Sequence, residues 1–203
     1  MIDIKEILKQ EAEAIMNIPV SDVYKNVTDL IYKHVHQSDG KVITSGMGKA
    51  GQIAMNIATT LSSTGTPAVF LHPSEAQHGD LGILQRNDIL ITISNSGRTR
   101  EVIELVTLAR NLVPEIPFIV ITGNPDCELA AGADFVIPTG NPPEVCILGL
   151  TPTTSTTVMT VIGDTLVVLL QEKTGFSNTD YASRHHGGYL GTRSRDAVKN
   201  GNK

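Results

Sequence analysis

Tryptophan is absent from this chain of 203 residues, and phenylalanine and tyrosine number only four each. A core must therefore be built from aliphatic side chains. Val, Ile, Leu, Ala and Gly are plentiful, the composition of a parallel sheet covered by helices. Cysteine is limited to Cys127 and Cys146, without CxxC spacing. That argues against a disulfide framework or a cysteine-rich zinc site, and the two read as plain thiols in a reducing compartment. The formal net charge is −5 and no Lys/Arg cluster stands out before the tail, which argues against nucleic acid as a partner. No unbroken apolar run approaches ~18 residues, so no membrane span is expected. The N-terminus is amphipathic, with Asp3, Lys5 and Glu6, not the pattern of a signal peptide. These features predict a soluble, cytoplasmic protein with one domain over residues 1–203.

What is present is a regular alternation. Ile4 to Ile15 follows a helical period that Pro19 stops, and Ser21 caps a second helix carrying Val23, Val27, Leu30, Ile31 and Val35. His34 and His36 near its end read as structural. Five short strands are predicted at residues 41–45, 67–71, 88–93, 117–121 and 134–138, separated by helices from about Gln52 to Ser63, from Glu101 to Leu112 and near Asp126. A long helix is predicted from about Thr153 to Thr174, with Pro152 just before its first turn. Crossovers long enough for helices between successive strands predict a doubly wound parallel sheet.

The organising stretch is the third strand and the turn after it. Ile89 to Ile93 is an apolar, β-branched run, and Ser94-Asn95-Ser96-Gly97 turns it into the next helix. Small hydroxyl residues and a glycine before a helix N-terminus make a phosphate seat. The competing reading is an ordinary N-cap by Ser96 or Thr99. Gly46-Met-Gly-Lys-Ala-Gly51 matches G-x-G-x-x-G, the dinucleotide fingerprint. That reading requires an acid at the end of the next strand, and here Leu71-His72-Pro73 stands there. The loop also holds Lys49. Three more stretches sit at the carboxyl edge, where α/β sites form. His78 lies in a Gly- and acid-flanked loop in which Asp80 would brace the backbone. Glu144 follows the fifth strand. Thr151 to Thr157 supplies hydroxyls at a helix start, to bind an anion or to cap it. Arg184-His185-His186-Gly187-Gly188 lacks a complete zinc-ligand spacing, so its histidines read better as acid/base groups.

Taken in order, the GMGKAG loop, STGTP (Ser63–Pro67), HPSEAQHGDLG (His72–Gly82), SNSG (Ser94–Gly97), TPTTSTT, Gly163-Asp164 and HHGGYLG resemble the sugar isomerase (SIS) domain family, and within it the arabinose 5-phosphate isomerases. The resemblance implies an α/β fold, a three-layer αβα sandwich on a five-stranded parallel sheet. It implies interconversion of D-ribulose 5-phosphate and D-arabinose 5-phosphate, feeding the octulosonic acid Kdo of lipopolysaccharide. By the same resemblance Lys49, His78, Glu144 and His185 are the catalytic candidates. Ser94, Asn95, Ser96 and Thr99, with Ser45, Gly46, Thr153 and Thr154 nearby, hold the substrate and its phosphate. His185 resembles a histidine donated across a subunit interface, so a homotetramer is implied. No metal or other cofactor is expected. Two departures stand out. Arg98 follows SNSG where the family commonly has glutamate, and His186 follows His185 where it often has proline. Longer members append CBS modules, so any feedback here is expected to act on the SIS core. A non-catalytic sugar-phosphate sensor, or an isomerase for another ketose phosphate, stays open on the residues alone.

Overall fold

The computed structural model describes residues 3–200. Five strands form one all-parallel sheet in the order β2-β1-β3-β4-β5: β1 (Val42–Gly46), β2 (Ala68–Phe70), β3 (Ile89–Ile93), β4 (Phe118–Thr122) and β5 (Phe135–Pro138). Alternate side chains along each strand enter opposite cores, as the two-residue period of a strand requires. Val42, Ile89, Ile91, Ile93, Ile119 and Ile121 pack under α2 (Val23–Ile31), α3 (Gly48–Ser63) and α7 (Thr154–Thr174). Ile43, Leu90, Phe118 and Val120 pack against α4 (Pro73–Ala76), α5 (Arg100–Leu112) and α6 (Glu128–Ala131). Apolar faces on both sides give the continuous aliphatic strands that the sequence shows. The three layers are therefore helices, sheet, helices.

The long α7 is packed mainly against α3 and α1 (Ile4–Met16). Gly163 lets α7 approach α3 closely, since a Cβ there would overlap the Ile57 side chain. By length and composition alone α7 is apolar enough to cross a membrane, and half of its most apolar window is buried inside the protein. Interrupting Thr and Gly residues hide it from a count of unbroken apolar residues. Its apolarity has a use within this core.

Two expectations shift, and one segment gains elements that the sequence reading left unassigned. α3 begins at Gly48, not Gln52, because Gly48 adopts φ +57° and turns the chain at once. Gly51 then lies against the Gly46 carbonyl with no room for a Cβ. The glycines of the G-x-G-x-x-G stretch thus make a tight strand-to-helix turn. At the start of α2 the N-cap position falls on Asp22, and Ser21 Oγ accepts from Val23 N–H at 3.4 Å. The chain after Thr174 forms two further helices, α8 (Asn178–Arg184) and α9 (Gly188–Lys199). The first starts in a reciprocal capping box of Ser177 and Asp180, a signal that was present in the sequence.

The loop before β3 is braced by Asp88 rather than by Asp80, which is exposed. Asp88 is fully buried. It accepts from Lys41 N–H at 2.9 Å and Gln85 N–H at 2.8 Å, and pairs with Lys41 Nζ at 2.7 Å. This ties the entrances of β1 and β3 together. Asp88→Ala would leave two amides and an ammonium without their acceptor. A loss of about 2–4 kcal/mol is expected, read by urea denaturation; a change under about 0.5 kcal/mol would show that the brace is dispensable.

Candidate active site

A cavity of about 950 Å³ opens at the carboxyl ends of β1, β3, β4 and β5, within the size range of small-ligand sites. It sits where the strand order reverses, since β1 sends its chain to α3 on one face and β3 sends its chain to α5 on the other. Lys49, Ser94, Asn95, Ser96, Thr99 and Glu144 all line it, as does Arg98. The structure thus brings together half of the candidates, drawn from three stretches that lie far apart in sequence. A second, apolar cavity of about 700 Å³ lies between α1, α2 and α7, away from the strand ends.

Two helices reach the cavity with bare N-termini. Thr99 stands at the N-cap position of α5, and its side chain makes no capping bond. Its hydroxyl instead meets Ser94 Oγ at 2.9 Å. Ser96 Oγ accepts from Arg98 N–H at 3.2 Å. Gly97 adopts φ +63°, and a Cβ there would overlap Cys127 Sγ, so this turn demands glycine. The ordinary-cap reading of Ser96 and Thr99 is therefore not what is built. At α3, Met47 occupies the N-cap position and also supplies no capping side chain. Uncapped N–H groups and the helix dipoles make both ends suited to an anion.

The third helix end is different. Glu144 Oε2 accepts from Thr153 N–H at 2.7 Å, Thr153 Oγ1 at 3.0 Å and Ser155 N–H at 3.2 Å, and so caps α7. Partial burial is the largest single influence on this carboxyl and pushes its pKa up. The hydrogen bonds from Ser155 and Thr153 together outweigh it and hold the value below the ordinary 4.5. Glu144 is therefore ionised at neutral pH. All three donors fall on one oxygen.

Other candidates lie elsewhere. Ser45 is fully buried and donates to the Leu71 carbonyl at 2.6 Å, so its hydroxyl holds the β1–β2 edge. Gly46 ends β1 behind the turn and does not line the cavity. Thr153 serves Glu144, while Thr154 is buried, donates to Glu11 Oε1 at 3.0 Å and accepts from Val145 N–H at 3.2 Å. Neither lines the cavity. His78 is exposed on the loop after α4. His185 lies between α8 and α9, stacked on Tyr181 at 3.7 Å with Nδ1 3.0 Å from the Tyr181 carbonyl, and His186 is exposed. Among the described residues no histidine lines the cavity.

Sequence reasoning named Asn95 but missed the two amides that share its cavity, Asn124 and Asn141. Asn95 Oδ1 is buried and has no hydrogen-bond partner. Asn141 adopts φ +49°. The signal was a repeated tetrapeptide: Thr122-Gly-Asn-Pro125 ends β4 and Thr139-Gly-Asn-Pro142 follows β5. One thiol also departs from expectation. Hydrogen bonds from the Thr151 side chain and backbone bring Cys146 down to about 7.

The cap gives a pH-dependent outcome. Because the folded pKa of Glu144 is depressed, its ionised form stabilises the fold above the ordinary 4.5, and that contribution is lost as pH falls through the folded value. Glu144→Gln should cost about 0.5–1 kcal/mol at pH 7. The gap should narrow as pH is lowered from 7 to below the ordinary 4.5 in matched denaturation curves; a penalty that does not change with pH would rule out a charge-assisted cap.

Comparison with known proteins places this geometry in context. A Pseudomonas aeruginosa protein named arabinose 5-phosphate isomerase KdsD is 46% identical over 154 residues, 76% of this chain and 47% of its own. The chain spans about half the length of the curated relatives it matches. A Bacteroides fragilis crystal structure, of a proposed phosphosugar isomerase involved in capsule formation, superposes with TM-score 0.90 at 64% identity, covering 92% of this chain and 97% of the other. An Escherichia coli CFT073 protein solved in complex with arabinose 5-phosphate gives TM-score 0.81 at 34% identity, covering 90% and 95%. The SIS domain family model matches residues 34–169, more than half of the 203, and this chain belongs to that family.

Proposed function

We propose that this chain is an aldose–ketose isomerase that interconverts D-ribulose 5-phosphate and D-arabinose 5-phosphate through a cis-enediol. The observation that carries the reading is the meeting, in one cavity, of an uncapped serine turn, a lysine and an ionised carboxylate. The Escherichia coli relative that holds arabinose 5-phosphate supports the substrate class over nearly its whole length. The reading takes the chain as a single SIS domain over residues 1–203.

The reaction moves a proton between C1 and C2. It needs an anchor for the phosphate, a base over carbon and a partner for the developing oxyanion. Ser94, Ser96, Thr99 and the α5 N-terminus anchor the phosphate. Lys49, on the first turn of α3, stabilises the enediolate oxygen. Glu144 is the base at carbon: it is ionised, and its cap bonds all use Oε2. His78, the alternative base on the sequence alone, lies outside this cavity. An imidazole that opens the ring or carries the oxygen-bound proton must come from outside this cavity's own lining. His185 of a neighbouring subunit fits that requirement. α8 and α9 pack chiefly on each other, and they expose Tyr189 and Leu190. A homotetramer, a cytoplasmic setting and a place upstream of Kdo and lipopolysaccharide complete the proposal.

Glu144→Gln and His185→Ala should each lower turnover about 10²–10⁴-fold without unfolding the chain. Mixed subunits of Lys49→Ala and His185→Ala should regain activity that neither has alone. Deuterium wash-in at C2 of arabinose 5-phosphate, followed by NMR across a panel of ketose phosphates, checks both chemistry and sugar. Unchanged turnover in both single variants, or no exchange with any sugar phosphate, would sink the isomerase reading.

A further inference from the structure

Arg98 lines the cavity in the same turn as Ser96 and Thr99. Its N–H is held by Ser96 Oγ, so its side chain leaves directly from the phosphate seat. Among the described residues Arg98 forms no ion pair. The charged groups around it come from three elements. Lys49 stands on α3, Glu144 follows β5, and Arg100, Glu101 and Glu104 lie on α5. Glu104 is taken by Arg100 at 2.6 Å and by Gln77 at 2.9 Å. Glu144 uses Oε2 on α7.

An exposed arginine is ordinarily just solvated. Here its charge adds to Lys49 and to two uncapped helix N-termini around one opening, against a single carboxylate. Concentrated positive charge of this kind is unfavourable until an anion enters. A guanidinium fork meets two phosphate oxygens at once, which hydroxyls and a point-charge ammonium do not. We propose that Arg98 binds the doubly ionised phosphate ester and gives this cavity its preference for a dianion over a monoanion. The proposal rests on the reading of this cavity as a sugar-phosphate site. It makes Arg98 a binding residue, absent from the proton-transfer steps.

The test is calorimetric titration of the full chain, wild type and Arg98→Gln, Arg98→Lys and Arg98→Glu, with inorganic phosphate at pH 5 and pH 8. These values bracket the second ionisation of phosphate, at roughly 6 for esters. Glu144 stays ionised over this range, since its pKa lies below 4.5. Arg98→Gln should lose about 10–100-fold in phosphate affinity at pH 8, the range for a hydrogen bond to a charged group, and clearly less at pH 5. Arg98→Lys should keep part of the affinity, and Arg98→Glu should lose the most. With arabinose 5-phosphate the loss should appear in KM, not in kcat. Phosphate affinity within twofold of wild type at pH 8, or an equal loss at both pH values, would overturn the proposal. The titration needs no turnover, so the two readings separate. If no sugar phosphate is isomerised while Arg98→Gln still weakens phosphate, the isomerase falls and the anion role stands.

Discussion

A strand paired on both sides in a parallel sheet must hand its chain to a helix on one face or the other. β1 hands it to α3 and β3 to α5, on opposite faces. Neighbouring strands whose chains depart in opposite directions leave a gap between their carboxyl ends, and nothing in the fold fills it. The cavity lined by Lys49, the serine turn and Glu144 is arranged around that gap. Register keeps it in place: Gly46 pairs with Ile93, so the turns after β1 and β3 begin at the same height.

The helix ends around the gap are treated unequally. Those of α3 and α5 are uncapped, although Ser96 and Thr99 are residue types that cap well. Their hydroxyls bond within the turn instead. The start of α7 is closed by Glu144, whose one oxygen takes three donors. Positive ends are thus offered where an anion can enter, and a carboxylate is pinned where proton transfer is proposed. The same bonds that pin it also lower its pKa. Ionisation at neutral pH is secured at some cost in basicity.

The cavity is well supplied with hydroxyl, amide, ammonium and guanidinium groups, and no imidazole lines it among the described residues. His185 instead stacks on Tyr181 in a helical pair that leaves Tyr189 three-quarters exposed. That division gives the proposed intersubunit histidine its physical meaning. A group held by another copy of the chain would close the site only in the assembly.

The layered fold was legible in the residues alone. Aliphatic runs of five, a helical period between them and crossovers of sufficient length leave few other arrangements for the chain. The serine turn after β3 and the carboxylate after β5 were legible as well, because strand ends carry sites in such folds. Other features depended on three-dimensional neighbours. Whether a hydroxyl caps its helix or bonds sideways is set by what lies beside it, so Ser45 and Thr154 looked like ligand contacts and proved to be internal braces. The asparagines of the two Thr-Gly-Asn-Pro turns share one cavity because β4 and β5 are paired. Arg98 read as a departure from a motif; its lack of a carboxylate partner became visible only when α3, α5 and the loop after β5 were placed around it. Periodicity records which faces are buried. Charge balance at a cavity is a sum over segments distant in the chain, and only folding brings those terms together.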